Sequence, residues 1–499
     1  MADALDHEVL VVGYGPVGAI LTGLLARRGV AVGAYERGTD VFTLPRAAHF
    51  DAEIARIIQS VGAMEAALPA TAPTSGMDFV DAKGRVLMAF EAEEQSAAEG
   101  WPRSFMFYQP DLERALRARV AELPAATVHL GHEVLAIAEQ PDHVEVTVRD
   151  LRDGATRTVR AAHVVGCDGA RSLVRSAMGT ELEDLGFDQP WLVVDVMLRG
   201  SADLPARPTQ YCTPSRPATF IPSAGAHRRW EFMLLPGEDP VAMEAPARIR
   251  ELIGPWVDPD AVEIIRSAVY SFHALIARGW RAGRVLLAGD AAHQMPPFLG
   301  QGMCAGFRDA ANLEWKLARV LRGTADLALL DTYESERSPH VRAIIEQAVA
   351  AGRIIQTTDP VEAAARDAFL LDPSVPAPPP PDLPTLGPGL GDPDDPLRGL
   401  RLPQPLDPDG ARRDDLLGHE VVLVVDPTTW RTRPEAERTA LGTRLPVVEA
   451  EPLRPWLAAR GVVAVVARPD RHVLGAAADA DGIAPLVDAA VRGLDARDG

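Results

Sequence analysis

The sequence predicts an α/β fold in which a parallel sheet of the doubly wound kind is interrupted by an antiparallel sheet, with a small α/β unit at its C-terminal end. Three observations predict it. First, glycine- and aspartate-bearing turns each follow a short apolar run: Gly13-Tyr14-Gly15-Pro16-Val17-Gly18 after Val9–Val12, Cys167-Asp168-Gly169-Ala170-Arg171-Ser172 after Val164-Val165, and Gly289-Asp290-Ala291-Ala292-His293 after Val285–Leu287. Second, runs of period two lie between these turns. Third, a proline-rich stretch, Pro373–Pro388, sets off the remaining chain.

The elements follow in order. Val9–Val12 is a continuous apolar run, as in a strand covered on both faces. Val17, Ile20, Leu21, Leu24 and Leu25 recur at helical spacing, and Gly29 ends that helix. Val30–Tyr35 is the second strand, with Glu36 at its end, which completes a βαβ unit. Val144–Val148 alternates with period two, as does much of Trp191–Arg199, and Arg229–Leu235 adds an aromatic-rich strand. Between the second and third turns the chain therefore leaves the parallel sheet, builds an antiparallel one and returns at Val285.

After Gly302, Ala305, Ala310, Leu313, Leu317 and Leu321 predict a helix of roughly twenty residues. A second helical stretch spans Leu327–Arg353. Pro376 and Pro378–Pro381 make an extended, semi-rigid linker. Beyond about Leu400, Val421–Val425, Leu445–Val448, Val462–Val466 and His472–Leu474 read as strands, with helices near Glu435 and over Ile483–Leu494.

Composition excludes several function classes. The 499 residues are 47% hydrophobic and 24% charged, an ordinary globular balance. A net charge of -20 disfavours nucleic acid, whose phosphates need a basic face. Cys167, Cys212 and Cys304 have neither paired nor metal-ligand spacing, which points to a reducing compartment and to no metal. With an acidic Met1–Glu8 and no long apolar segment, no targeting or membrane role is expected, and the expected location is the cytoplasm.

The turns carry the chemistry. Gly13 and Gly15 permit a tight turn and close approach of the backbone to a pyrophosphate; Gly18 lets helix and strand pack closely, and the helix opening at Pro16 faces the negative charge. Glu36 is placed to accept hydrogen bonds from a ribose, and Arg37 adjoins it. A lone glycine turn can be purely structural, but the strand-turn-helix-strand-Glu context reads as dinucleotide binding.

Asp290 can accept hydrogen bonds from a ribityl chain, or merely cap the next helix. The Gly300-Gln301-Gly302 loop can lie against an isoalloxazine ring. The helix starting near Met303 then points its positive end at the flavin pyrimidine. Asp168-Gly169, with Arg171 and Arg175, sits where a pyrophosphate or a nicotinamide nucleotide needs partners, or forms a simple turn. Because the chain holds one GxGxxG, a pyridine nucleotide must bind transiently to a surface without its own dinucleotide domain.

At this point the sequence resembles the class A FAD-dependent aromatic hydroxylases, the para-hydroxybenzoate hydroxylase superfamily, and within it the 3-(3-hydroxyphenyl)propionate hydroxylase branch. The residues that carry the resemblance begin with Leu44-Pro45-Arg46-Ala47, His49-Phe50-Asp51 and Gln109-Pro110-Asp111-Leu112-Glu113. They continue with Gly166–Gly169, Gly289–Met303, Asp309–Leu317 and Tyr333–Arg337, and cover about residues 1–355. The resemblance implies a Rossmann-like FAD-binding domain over 1–370, interleaved with an antiparallel-sheet substrate domain at about 76–105 and 181–275. It also implies a linker over 371–399 and a thioredoxin-like domain over 400–499. With no cysteine beyond Cys304, that domain cannot do dithiol chemistry; it suits packing or a homodimer interface.

The implied reaction is ring hydroxylation of a phenolic substrate, of the 3-(3-hydroxyphenyl)propionate type. NADH or NADPH acts as transient cosubstrate, and O2 reacts through a flavin C4a-hydroperoxide. By the same resemblance Arg46 and Gln109 contact the flavin, and the Pro296-Pro297 segment places a backbone carbonyl near the substrate hydroxyl, which makes Pro297 a candidate at both cofactor and reaction. His49 and His273 are candidate bases for the phenol, or satisfied structural histidines. Tyr211, Phe220, Trp230, Phe232 and Phe272 are candidate pocket walls, with Asp195 beside them, although aromatic residues on such strands are commonly core. Arg216 can hold a substrate carboxylate, or be a solvated loop charge. Two alternatives stand: hydroxylation of a polycyclic aromatic polyketide or antibiotic, and a non-catalytic flavin-binding scaffold. No Trp-x-Trp-x-Ile-Pro segment occurs, which disfavours a halogenase.

Overall fold

The computed structural model describes residues 5–92, 98–376, 383–407 and 410–495; the Pro378–Pro381 stretch expected to be extended lies outside them. The main sheet has eight strands. Along its spine run Arg281–Ala282, Val285–Leu287, Thr156–Gly166, His7–Val12, Val32–Glu36 and Ala126–Leu130, the last five mutually parallel. All three turns thus leave the same end of adjacent parallel strands. Val144–Asp150 is antiparallel, as its alternation predicts, and extends this sheet with His132–Glu139.

A second eight-stranded sheet covers the site. Its order is His293–Gln294, Val262–Ala277, Leu182–Leu198, His227–Met233, Ala218–Ile221, Thr209–Tyr211, Gly76–Val80 and Val86–Glu91, antiparallel except for the pairing of Thr209–Tyr211 with Gly76–Val80. One face carries Leu192, Val194, Val196, Phe220, Trp230 and Phe232, packed with Ile249 and Ile253 of the Pro246–Ile253 helix. The opposite face carries Trp191, Cys212 and Met233, packed with Phe298. Trp191–Val196 is therefore buried at every position, a run apolar except for Asp195, where the expectation was a strand of period two. Both faces are covered.

The C-terminal sheet runs Val447–Glu449, Val422–Val425, Ala464–Ala467, Val473–Ala477. Its first pair is parallel and the other two are antiparallel. The Ile483–Asp495 helix packs on it, and its core includes Trp315 of the Gly302–Leu321 helix, so this unit is docked on the first domain. A buried ionic cluster reinforces the junction. Arg468 donates to both Glu336 oxygens (2.8 and 2.9 Å), and Lys316 Nζ donates to Glu336 Oε2 at 2.8 Å. Among the described residues no helix is long and apolar enough to cross a membrane.

Candidate active site

The first turn is built for a ligand. Gly13 has φ +91°, and a Cβ there would lie 2.6 Å from the Cys167 carbonyl oxygen; a Cβ at Gly18 would lie 2.1 Å from the Gly13 oxygen. These two glycines serve packing. A Cβ at Gly15, in contrast, would meet nothing within 4 Å, so the backbone there faces open space. The Pro16–Arg27 helix begins at that point with no side-chain cap and no acidic residue in its first turn, leaving its N-terminal N–H groups and dipole for an anion. Glu36 accepts from the Tyr14 N–H at 2.8 Å and from the Gly38 N–H at 2.7 Å, tying the strand end to the turn; Arg37 is exposed beside it.

The second turn is more structural. Asp168 Oδ1 accepts from the Ser172 hydroxyl at 2.6 Å and Oδ2 from the Leu173 N–H at 2.7 Å, so its carboxylate caps the Leu173–Ala177 helix. Gly169, at φ +79° with open space around it, leaves any contact with a nucleotide to the backbone. Arg175 bridges to the third turn by donating to the Ala291 carbonyl at 2.9 Å.

The third turn leaves one group without a partner. Among the described residues nothing hydrogen-bonds the Asp290 carboxyl, and burial raises its pKa against the pull of His293 and Arg46. The turn itself is anchored by Asp309, which accepts from the Gly289 N–H at 3.1 Å, from His293 at 2.7 Å and from Arg337 at 2.9 Å. Burial opposes the Asp309 charge, but His293 and Arg337 hold its pKa below the usual carboxylate range.

Gly300, at φ +64°, closes on His49: a Cβ there would lie 3.0 Å from the His49 ring. His49 Nε2 pairs with the Ser104 hydroxyl at 2.8 Å, and burial lowers its pKa. The Gly302–Leu321 helix that follows, with Met303 in its first turn, also starts with no side-chain cap and no acid in that turn. Gln109 Oε1 accepts from the Arg46 and Ala47 N–H groups at 2.7 and 2.8 Å, which fixes the loop that carries the exposed Arg46.

Several candidate substrate contacts are corrected. Phe220, Trp230 and Phe232 point to the outer face of the second sheet, into the core under the Pro246–Ile253 helix, because the strand alternation puts Arg229, Glu231 and Met233 on the face that meets the first domain. Tyr211 packs with them, edge-on to Trp256 at 5.3 Å. Arg216 donates to both Glu238 oxygens at 2.5 Å and to the Met233 carbonyl at 2.9 Å, so its guanidinium is already matched. His273 alternates with the inward Phe272, stands 37% exposed and faces Asp188 at 3.7 Å. Phe272 stays on the inner face, stacked on Trp191 at 6.2 Å and edge-on to Phe298 at 6.4 Å, one residue beyond Pro297.

The structure adds groups that the sequence reading gave no role. Arg229 donates to Asp195 at 2.8 Å and to the Arg46 and Pro45 carbonyls at 2.6 Å, and Arg266 donates to Pro45 at 2.7 Å. Glu231 lies buried beside them with its pKa raised by burial. A charge on a strand that otherwise reads as core is the signal that finds them.

The uncapped helix starts, the open space at Gly15 and the unpartnered Asp290 fit a dinucleotide with a polyol arm. The chain belongs to the FAD binding domain family, whose profile matches residues 6–348, and so to the FAD-dependent aromatic hydroxylases. It is 38% identical over 504 residues to a probable NADH-specific resorcinol 4-hydroxylase of Rhodococcus jostii, covering 96% of this chain and 93% of that one. It is 39% identical over 376 residues to a 3-(3-hydroxy-phenyl)propionate/3-hydroxycinnamic acid hydroxylase of a Mycobacterium species, covering 75% of this chain but 64% of that protein. Among solved structures, the flavin-dependent monooxygenase PieE with FAD and substrate superposes with a TM-score of 0.80 at 25% identity, covering 98% of this chain and all of that one. Aklavinone-11 hydroxylase with FAD and aklavinone gives the same score and identity, covering 99% of this chain and all of that one.

Proposed function

We propose that this chain hydroxylates a monocyclic phenol, of the resorcinol or 3-(3-hydroxyphenyl)propionate kind, using NADH and O2. The observation that carries this is the 38% identity with the resorcinol hydroxylase along nearly the whole of both chains. Bound FAD supplies the redox and oxygen chemistry. The protein's residues do the rest. The turns at Gly13, Gly169 and Gly289 would hold its pyrophosphate and ribityl arm, with Asp290 as acceptor. The Pro297–Gly302 loop and the N-terminus of the following helix would border its ring, and Trp191, Phe272 and Phe298 would keep water from the substrate side. Of the two candidate histidines, His49 alone borders the flavin loop. Its lowered pKa keeps it neutral at pH 7, the form that accepts a phenolic proton.

The C-terminal unit supports a thioredoxin-like reading, since its β-α-β-α-β-β-α order pairs one parallel and two antiparallel neighbours. Without cysteines its part is packing on the Gly302–Leu321 helix. The match with aklavinone-11 hydroxylase favours a second reading, a polycyclic aromatic substrate.

Purified protein with NADH, labelled O2 and each phenol, followed by mass spectrometry, tests both. One labelled oxygen per NADH oxidised with a monocyclic phenol is the expected result. NADH oxidation that gives only peroxide moves the substrate to larger rings, and bound flavin never reduced in the presence of any phenol would sink the enzymatic reading.

A further inference from the structure

We propose that Arg401, on the segment leading into the C-terminal unit, is a positioning residue for the Gly300-Gln301-Gly302 loop, acting through Glu53 and Arg308. The inference rests on the reading that this loop faces the flavin. The path is continuous and short. Arg308 is 3% exposed, and its guanidinium donates in three directions: to Gln301 Oε1 at 2.9 Å, to Asp51 Oδ2 at 2.5 Å and to Glu53 Oε2 at 2.7 Å. Gln301 Nε2 donates to the same Asp51 oxygen at 3.2 Å, so the side chain inside the loop is held from both ends.

Glu53 Oε2 is shared. Arg401 reaches it at 2.8 Å and uses its other arm on Glu99 at 2.7 Å. Burial would raise the Glu53 pKa, but Arg308 and Arg401 drive it well below the usual range, so the carboxylate stays charged between two guanidinium groups. Removing Arg401 leaves Glu53 to Arg308 alone. With its second cation gone, the full Glu53 charge falls on Arg308 Nε, which draws the guanidinium toward Glu53 and loosens the Nη1 bond to Gln301. Arg401 makes no hydrogen bond or ion pair to the loop itself, and with its side chain 25% exposed its truncation opens a gap that water can enter.

The test uses the full-length protein as Arg401→Ala, Arg401→Lys and Gln301→Ala, with three readouts: the visible flavin spectrum, the FAD dissociation constant and the share of NADH oxidation that ends as peroxide. We expect Arg401→Ala to weaken FAD about 5-fold, the size of coupling such networks carry, to shift the spectrum and to raise the peroxide share; Arg401→Lys should restore most of it. If Gln301→Ala perturbs the spectrum and Arg401→Ala lowers only the melting temperature, the proposal is overturned and the loop reading stands. If Gln301→Ala itself leaves spectrum and affinity unchanged, the loop reading fails and takes the proposal with it.

Discussion

His293 Nε2 lies 2.7 Å from Asp309 Oδ2, with both side chains at most 1% exposed, and the same carboxylate holds the Gly289 N–H and Arg337. One buried anion thus joins the third turn, the helix after it and the long Asp331–Ile355 helix. Asp309→Ala would strand the Arg337 guanidinium, which is 1% exposed, and buried pairs broken on one side cost about 3–5 kcal/mol. The expected variant unfolds at lower denaturant and purifies with little flavin. Near-normal stability with flavin retained would show that the turn does not depend on this anchor.

Arg216→Ala should leave KM for an acidic phenol within about twofold of the parent, because its guanidinium is matched by Glu238 and not by a pocket. The pair is partly exposed, so its loss should cost no more than about 1 kcal/mol. Steady-state kinetics with 3-(3-hydroxyphenyl)propionate decide it: a several-fold rise in KM at unchanged kcat would return Arg216 to the substrate.

Trp230→Ala and Phe272→Ala should part company. Trp230 is fully buried on the outer face, and emptying such a site costs about 3–5 kcal/mol while leaving KM alone. Phe272 is partly exposed on the inner face, so its loss should raise the peroxide share and KM with a smaller effect on stability. Thermal melts beside product-to-NADH ratios separate the two; equal effects would erase the distinction between faces.

How much of this was legible follows from the range of the interactions. Gly18 announces itself because the clash that excludes a Cβ is with the Gly13 backbone of the same turn, whereas Gly13, whose own Cβ would meet the distant Cys167, is legible through the local pattern of strand, turn and helix. The even positions of the His227–Met233 strand were legible as one face, but alternation cannot say whether that face meets a pocket or a helix 20 residues downstream. Arg216 finds Glu238, Arg308 finds Glu53 and Arg468 finds Glu336 across separations of 22, 255 and 132 residues, and no spacing rule reaches that far. Asp168 differs: its capping partners are close in sequence, and a cap and a ligand contact share one sequence signature, so spacing alone leaves both readings open.

The domain junction should weaken in acid. Burial would raise the Glu336 pKa, but Arg468 and Lys316 hold it at about 2, against ~4.3 in an unfolded chain. A depressed folded pKa gives stability that is complete above ~4.3 and is lost as pH falls toward 2. Lys316 works in the opposite sense, since burial lowers its pKa to about 8: its charge is a cost below that pH, relieved as pH rises. The acid limb dominates because Arg468 grips both Glu336 oxygens. Calorimetry from pH 7 to 3 should show the C-terminal unit melting progressively earlier, and Arg468→Ala should melt early already at pH 7 with a flatter acid response. A junction indifferent to pH in both proteins would remove Glu336 as its anchor.

His49 allows the sharpest separation of chemistry from support. Its ring fills the space that only glycine leaves at position 300, so His49→Ala would loosen the loop as well as remove the proposed base; His49→Gln keeps most of the volume and a partner for Ser104. Burial sets the folded pKa below 6.5, so the parent's kcat/KM should hold flat at neutral pH and fall only below that value, as the ring takes up a proton and can no longer accept one. In His49→Gln that acidic limb should vanish and the plateau drop about 100-fold, the scale of a lost general base, while NADH still reduces the flavin. A variant that keeps the limb, or loses flavin reduction in proportion to product, would make His49 a packing residue and place the base elsewhere.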